Sequence, residues 1–299
     1  MSEIKFGMQL PVQAQSRIMA DEWEHSAGSA EMLAVAQAAD RNGFDYVGVC
    51  DHVAIPRDLA PRMTTTWYDT VSTLSWLAGI TERVRLASTV YIVAYRNPLL
   101  TAKGFSTLDS LSGGRAVLGV GAGHVVAEFE ALGVPFKQRG RLTNEAIVAI
   151  RAAFADEWGA GGLGQSPRPV QPGGPPIWVG GSTPAALRRA AELGDGWLPQ
   201  GPPEQGMPAA IQEIRSMREA AGRADLPFAM GGMARLYVGD PAWEVGPCVS
   251  GKPDALADSL AGLAAIGVTH AQLKFPARSA TELVDQLSAF GSEVVPLLA

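Results

Sequence analysis

The sequence lacks the features that mark several classes of protein. Its 299 residues include only two cysteines, Cys50 and Cys248, which lie far apart and form no CxxC pair. Neither a disulfide framework nor a zinc site is therefore expected, and both cysteines should be free thiols in a reducing compartment. No run of about 18 apolar residues is present that could span a membrane. Nor is there a secretory signal pattern, because Glu3, Lys5 and Gln9 interrupt the beginning of the chain.

Positive charge is also scarce. Lysine and arginine total 24 against 30 acidic residues, which gives a formal net charge of −6. This balance argues against a nucleic-acid partner and against an anionic membrane surface. Hydrophobic residues make up 47% and charged residues 18%, as in an ordinary soluble globular enzyme. We therefore expect a cytoplasmic protein that binds no metal and acts on a small molecule.

What the sequence does contain is a regular alternation of β-rich runs and helical patterns. Eight strands are predicted, at 4–10, 44–50, 84–93, 114–123, 177–181, 196–200, 233–239 and 268–275. Helices are predicted at 28–43, 70–80, 98–111, 138–158, 184–193, 208–222, 253–266 and 280–297. Such alternation requires a parallel sheet with helices outside it. The number eight and the lack of an early GxGxxG favour an α/β fold of the (β/α)8 TIM-barrel class, in one domain over 1–299, rather than an open doubly wound sheet.

One segment interrupts this alternation. Residues 159–176, GAGGLGQSPRPVQPGGPP, are rich in glycine and proline, as a linker between two domains would be. Because the strand and helix pattern resumes immediately afterwards, we interpret the segment as an ordered surface insertion.

The end of the second strand carries the first candidate site. In TIM barrels the chemistry lies at the carboxyl ends of the strands. Here the run FDYVGVC leads directly into Asp51 and His52, and His124 lies at the mouth of the fourth strand. Histidine suits proton transfer because its pKa lies near neutral pH. The alternative is that Asp51 caps the following segment and His52 is structural.

The segment GGSTPAALRR, from Gly180, offers a second candidate site. Gly180 and Gly181 allow a ligand to approach the backbone closely. Ser182 or Thr183 can act as the helix N-cap, and Pro184 suits the first helical position. Free N–H groups at such a helix start favour a phosphate, although an ordinary capped turn would show the same pattern.

Two glycines at the end of the fourth strand form a third candidate. GVGAG at 119–123 is a weak dinucleotide signature, because it ends a strand and lacks the following acidic residue. We interpret Gly121 and Gly123 as space for a flat ligand or as a tight turn.

Several segments resemble a known family. The stretch YRNPLLTAKGFSTLDSLSGGRAVLGVGAG, 95–123, is similar to a signature of the bacterial luciferase-like superfamily of flavin- and deazaflavin-dependent oxidoreductases. The stretch 175–199 is similar to the second signature of that superfamily, and 131–147 and the closing GVTHAQLKF resemble it too. The resemblance covers nearly the whole chain. It implies a (β/α)8 barrel with loop insertions and a flavin-type cofactor across the C-terminal face.

The resemblance also bears on the cofactor. Cys50-Asp51-His52 resembles the Ser-Asp-His of deazaflavin members more than the Glu-His-His of the luciferase type. This implies coenzyme F420 as a hydride carrier to or from a small organic substrate. One alternative is an FMN-dependent monooxygenase that receives reduced FMN from a partner reductase. Another is a non-catalytic flavin- or deazaflavin-binding protein. The family further implies a homodimer.

Residue roles follow from the same resemblance. His52 would face the ring and the substrate as proton donor or electrostatic partner, and Asp51 would orient that region. Thr89 and Val90 match the place where the family has a bulge with a non-prolyl cis peptide behind the ring. His124 stands where some members have a glutamate acid and many have a tryptophan, so it would serve as an acid or fill that space. The phosphate end would lie at Gly180, Gly181, Ser182 and Thr183.

The substrate pocket would be formed by loops at the C-terminal face. The expected loops are 12–27, 53–69 and 159–175, with aromatic surface from Trp67 and Tyr68. Ordinary packing is the alternative role for these two rings.

Overall fold

The computed structural model describes residues 4–159 and 162–298. Its strands are β1 (Lys5–Gln9), β2 (Tyr46–Val49), β3 (Arg85–Ser88), β4 (Tyr91–Ile92), β5 (Ala116–Gly121), β6 (Ile177–Gly180), β7 (Gly196–Leu198), β8 (Ala229–Val238), β9 (Val249–Gly251) and β10 (His270–Lys274). Its α-helices are α1 (Ser29–Arg41), α2 (Ala60–Met63), α3 (Thr70–Ala78), α4 (Pro98–Ser112), α5 (Val126–Ala131), α6 (Arg139–Ala155), α7 (Pro184–Leu193), α8 (Met207–Ala220), α9 (Pro253–Ala265) and α10 (Ala280–Ala289).

The parallel strands close into a ring. Its order is β1, β2, β3, β5, β6, β7, β8 and β10, and β10 pairs with both β8 and β1. The short β4 pairs with β5 beyond the end of β3. Outside the ring, β9 pairs in parallel with the last residues of β8. The predicted (β/α)8 barrel is confirmed, and the open sheet is excluded.

The start of β8, the seventh strand of the ring, differs from the prediction made from the local sequence pattern. The strand begins at Ala229 rather than at the predicted residue 233. Gly231 and Gly232 hide this start, because glycine has a weak strand preference. They are needed where the backbone packs closely: a Cβ on Gly231 would lie 2.1 Å from the carbonyl oxygen of Trp197.

Other boundaries differ from prediction at short or irregular elements. The predicted strand 84–93 is divided into β3 and β4, and the predicted last helix ends at Ala289, followed by a π turn at Phe290–Val294 and a 3-10 turn at Val295–Leu298. The short α2, α5 and β9 were not predicted, because elements of three to six residues carry too little periodicity.

The inside of the barrel is filled by large rings set against glycines. Tyr46 and Trp178 are almost fully buried and meet edge to face, with centroids 5.3 Å apart. A Cβ on Gly7 would lie 2.1 Å from the Tyr46 ring, and one on Gly196 would lie 2.5 Å from Trp178. The rings therefore fit only because these two positions lack a side chain. This layer fills the lower half of the barrel and leaves the chemistry to the carboxyl ends of the strands.

The glycine- and proline-rich insertion lies against the outer helices. Asp109 of α4 accepts hydrogen bonds from the backbone amides of Val170 and Gln171, at 2.8 and 2.9 Å. Gln165 donates to the carbonyl of Leu99, and Arg168 donates to carbonyls at the end of α6. The described part of the segment is thus anchored, as an ordered insertion requires. The expectation that it also helps to form the substrate pocket stays a prediction.

Candidate active site

His52 is held by a carboxylate that the sequence did not reveal. The Nδ1 atom of His52 lies 2.7 Å from Oε2 of Glu128, at the start of α5. The other oxygen of Glu128 accepts hydrogen bonds from the amides of Val53 and Ala54, at 2.7 and 3.1 Å. Both side chains are enclosed, with 9% of His52 and 3% of Glu128 exposed. The glutamate thereby ties the loop after β2 to the loop after β5.

This contact sets the tautomer of the imidazole. Burial by itself would raise the pKa of Glu128, but the hydrogen bonds from His52 and the two amides hold it below its usual value. Because an ionised carboxylate can only accept, Nδ1 of His52 carries the proton. In the neutral ring, Nε2 is then left as a proton acceptor.

Two further rings surround His52. The Trp67 ring lies 4.4 Å from it between centroids, and His124 lies 5.4 Å from it, both edge to face. Trp67 is fixed by a hydrogen bond from its indole N–H to the carbonyl of Met63. Partial burial lowers the pKa of His124, and the neighbouring His52 lowers it further. His124 is therefore mostly neutral at pH 7, next to the predicted proton-transfer residue.

Asp51 points away into an ion pair. Its two oxygens accept from both guanidinium nitrogens of Arg96, at 2.6 and 2.8 Å, and one also accepts from the amide of Ile92. The guanidinium stacks on Tyr91 and Tyr95, at 3.9 and 4.9 Å from the ring centroids. A bidentate pair of this kind fixes geometry as well as charge. The arrangement fits the predicted orienting role of Asp51.

A cis peptide joins Thr89 and Val90, at the position that the resemblance implied. Three glycines on neighbouring strands make room for it. A Cβ on Gly48 would lie 2.5 Å from Oγ1 of Thr89, and Cβ atoms on Gly121 or Gly180 would lie 2.5 Å from the Val90 methyl groups. Thr89 is 3% exposed, and its hydroxyl has no hydrogen-bond partner among the described residues. A buried hydroxyl left without a partner is a position for a ligand to satisfy.

Cys50 packs beneath this peptide. Its thiol donates to the carbonyl of Thr89 at 3.4 Å and accepts from the side chain of Gln9. Burial raises the pKa of Cys50 to about 12. The residue is therefore a neutral hydrogen-bonding thiol, not a nucleophile.

The remaining glycine of the fourth-strand motif forms a tight turn. Gly123 has a φ of +77°, and a Cβ there would lie 2.7 Å from Phe129 and 2.9 Å from Ile92. The tight-turn interpretation of this position is supported by the geometry.

The turn between β6 and α7 has the form expected of an anion site. Thr183 is the N-cap, since its hydroxyl accepts from the amide of Ala186. The Ser182 hydroxyl instead donates to the carbonyl of Gly201. Gly181 has a φ of +121°. The amides of Ser182 and Thr183 donate to no group of the described residues, so the turn can still receive a phosphate.

The strand order brings the predicted residues together. β2, β3, β5 and β6 are consecutive in the ring, and they carry His52, the Thr89–Val90 peptide, His124 and the Gly180–Thr183 turn in that order. Glu128 and Arg96 were missed. Glu128 follows His124 by four residues, and that proximity to a strand end is the signal that could have identified it.

Within the described residues, no group of three or more His, Cys, Asp or Glu side chains could hold a metal ion. Over the same ranges, no helix is both long and apolar enough to cross a bilayer.

Comparisons with known proteins show which proteins this chain is similar to. Residues 4–246 match the model of the family described as luciferase-like monooxygenase. A 5,10-methylenetetrahydromethanopterin reductase of Methanolobus tindarius is 32% identical over 193 residues, which cover 63% of this chain and 55% of that protein. This relative is thus matched over little more than half of its length.

Two solved structures share the fold. A monooxygenase from Streptomyces bottropensis superposes with a TM-score of 0.80 at 21% identity, over 99% of this chain and 100% of the other. The coenzyme F420 dependent tetrahydromethanopterin reductase from Methanopyrus kandleri superposes with a TM-score of 0.75 at 20% identity, over 100% of both chains.

Proposed function

Because this chain belongs to the luciferase-like monooxygenase family and shares its fold with an F420-dependent reductase, we propose that it transfers hydride between coenzyme F420 and a small organic substrate. The observation that carries the proposal is the pairing of His52 with Glu128 beside the Thr89–Val90 peptide. F420, when bound, supplies a two-electron hydride carrier. The protein must then move the accompanying proton.

The residues present fit such a cofactor. The Thr89–Val90 peptide offers a surface for a flat ring, with the unpartnered Thr89 hydroxyl available to it. The Gly180–Thr183 turn offers free amides for a phosphate. Cys50-Asp51-His52 resembles the deazaflavin pattern, and one structural neighbour is an F420-dependent reductase.

His52 would handle the proton. Its Nδ1–H is directed to Glu128, so Nε2 can take a proton from a substrate hydroxyl as hydride leaves the same carbon. The imidazolium that results is stabilised by the Glu128 carboxylate at 2.7 Å. In the reverse direction, the same group donates the proton to a carbonyl oxygen. His124, 5.4 Å away between ring centroids, can contact the same substrate oxygen or fill the space beside it.

The test is a pair of binding titrations, followed by turnover. Purified protein is titrated with F420 and separately with FMN, with quenching of ligand fluorescence as the signal. We expect F420 to bind more tightly than FMN. We also expect one or more of a panel of alcohols to bleach the visible absorbance of F420, and this bleaching should be unaffected when oxygen is removed. His52→Asn should retain binding and lose turnover. Tight FMN binding with no F420 affinity would contradict the proposal.

The second candidate is an FMN-dependent monooxygenase supplied by a partner reductase. The fold of the Streptomyces bottropensis monooxygenase favours it. It predicts oxygen consumption with reduced FMN and no hydride transfer to F420. Cofactor binding by the unmodified protein with no turnover in either assay would instead support a non-catalytic binding protein.

The resemblance further suggests a homodimer. Size-exclusion chromatography with light scattering should give about twice the 31.4 kDa chain mass. A single-chain mass at assay concentration would reject it.

A further inference from the structure

Two cations face the open end of the barrel, on β8 and β10. Ala229 on β8 belongs to the inner cluster with Tyr46 and Trp178. Side chains alternate along a strand, so Met233 and Arg235 share the inner face with Ala229.

The same argument applies to β10. Ala271 and Leu273 are buried in the outer core, against the helices. His270 faces inward, with its ring 5.2 Å from that of Trp178. Gln272 and Lys274 follow it at two-residue steps and therefore face inward too.

The register sets the two cations side by side. Lys274 pairs directly with Arg235, and Gln272 pairs with Met233 one step below. Neighbouring strands lie about 4.8 Å apart, and paired residues of a parallel ladder project to the same face. The last pair of the ladder thus carries two positive charges, above a pair that is apolar and neutral.

The barrel is open to solvent at this level. Met233 faces inward and is still 47% exposed, whereas Ala229 on the same face is buried. Arg235 is exposed as well. A ligand entering from the mouth can therefore reach both cations.

The charge of Arg235 is not compensated within the described residues. Lys274 lies 3.4 Å from Asp21, and its ammonium also donates to the carbonyl of Met19. Arg235 makes no ion pair with any described residue, and its hydrogen bond to the carbonyl of Val245 is long, at 3.5 Å. A guanidinium presents a planar fork of donors that matches a carboxylate or a phosphate.

Arg235 lies on the opposite side of the barrel mouth from the proton-transfer residues. In the ring of eight, β8 lies four strands from β3 in either direction, so Arg235 is across the mouth from the Thr89–Val90 peptide. Resting on the proposed function, we propose that Arg235, with Lys274 beside it, binds a carboxylate or phosphate group of the substrate. The substrate class is then a small organic acid or phosphate ester whose reacting carbon lies several bonds from its anionic group.

An anion at this position could also come from the cofactor, because F420 carries a phosphate and an acidic tail. The experiment separates these sources. Inorganic phosphate is titrated calorimetrically into the ligand-free protein and into protein saturated with F420, in which the Gly180–Thr183 turn is occupied. Arg235→Gln removes the charge, and Arg41→Gln, exposed at the far end of α1, is the matched control.

In the F420-saturated protein, we expect the phosphate dissociation constant to rise at least tenfold in Arg235→Gln and to stay constant in Arg41→Gln. The affinity for F420 should be the same in all three proteins. Equal phosphate affinity in all three overturns the site.

A further arm titrates the deazaflavin without phosphate or tail. If Arg235→Gln weakens F420 but not this analogue, the cations bind the cofactor tail, and the substrate assignment is overturned. Should the unmodified protein fail to bind F420, the proposed cofactor is rejected, while the ligand-free phosphate titration still decides whether Arg235 forms an anion site.

Discussion

Replacing Glu128 by glutamine tests the reasoning about His52 most directly. The carboxylate accepts three hydrogen bonds, from His52 and from two backbone amides. Glutamine has only one side-chain oxygen. If this oxygen keeps the hydrogen bonds from both backbone amides, the NH2 group must face Nδ1 of His52. The imidazole has to invert its tautomer, so that Nε2 becomes a donor and can no longer accept a proton.

The size of the effect follows from these contacts. A charge-assisted hydrogen bond, worth about 1.5–3 kcal/mol, is replaced by a neutral one worth about 0.5–1.5 kcal/mol, so the free energy of unfolding should fall by about 1–2 kcal/mol. General acid–base catalysis contributes about 10²- to 10⁴-fold, so kcat should fall within that range while KM changes little. The assays are urea unfolding, steady-state kinetics with the substrate found by screening, and ¹⁵N NMR of the imidazole, which reports the tautomer without a substrate.

Glu145→Gln is the control, because Glu145 is an exposed glutamate paired only with Arg141 on α6. It should leave all three measurements unchanged. An ¹⁵N spectrum that shows Nε2 protonated in the unmodified protein, or a Glu128→Gln enzyme with full kcat, would refute the tautomer argument.

Three other predictions follow. The Glu282 carboxyl is partly buried, and this desolvation by itself would raise its pKa, but hydrogen bonds led by Arg278 lower the pKa to about 2. The stabilisation from Glu282 is therefore present above the unfolded pKa of about 4.3 and is lost as pH falls toward 2. Urea midpoints of the protein and of Glu282→Gln should differ at pH 7 and converge at low pH. Gly7→Ala should cost about 1–3 kcal/mol because its Cβ would strike the Tyr46 ring, whereas Gly262→Ala, in open space on α9, should stabilise by about 0.5–1 kcal/mol. A thiol reagent at pH 8 should label only Cys248 of the native protein, since burial raises the pKa of Cys50 to about 12; two labels per folded chain would contradict the packing.

The barrel could be predicted because its signals are local. Most helix boundaries fall within about three residues of prediction, and 184–193 is matched in full, because Thr183 and Pro184 mark its start chemically. The start of β8 was misplaced because Gly231 and Gly232 have no side chain to reveal a strand. Their role becomes visible only when the neighbouring strand is placed against them.

The residues of the site likewise differ in whether local sequence could identify them. His52 could be identified because it follows an apolar strand, and the place of a strand end in a barrel is known in advance. The position of Glu128 near a strand end made it a candidate, but its pairing with His52 could not be predicted, because the two residues are 76 apart and only the packing of α5 on the loop after β2 brings them together. The cis peptide at Thr89–Val90 came from family resemblance alone. No preference of threonine or valine would have predicted it.

The layer of Tyr46 and Trp178 has a kinetic consequence. Because these rings fill the barrel at the amino ends of the strands, a ligand can reach the strand ends that carry His52 and Thr89 only from above, and two ligands must use the same entrance. Under the proposed function, the deazaflavin ring rests deepest, on the Thr89–Val90 peptide, so it has to arrive before the molecule that covers it and to depart after it. Initial-rate patterns should therefore be those of an ordered sequential mechanism, with the deazaflavin as leading reactant and final product.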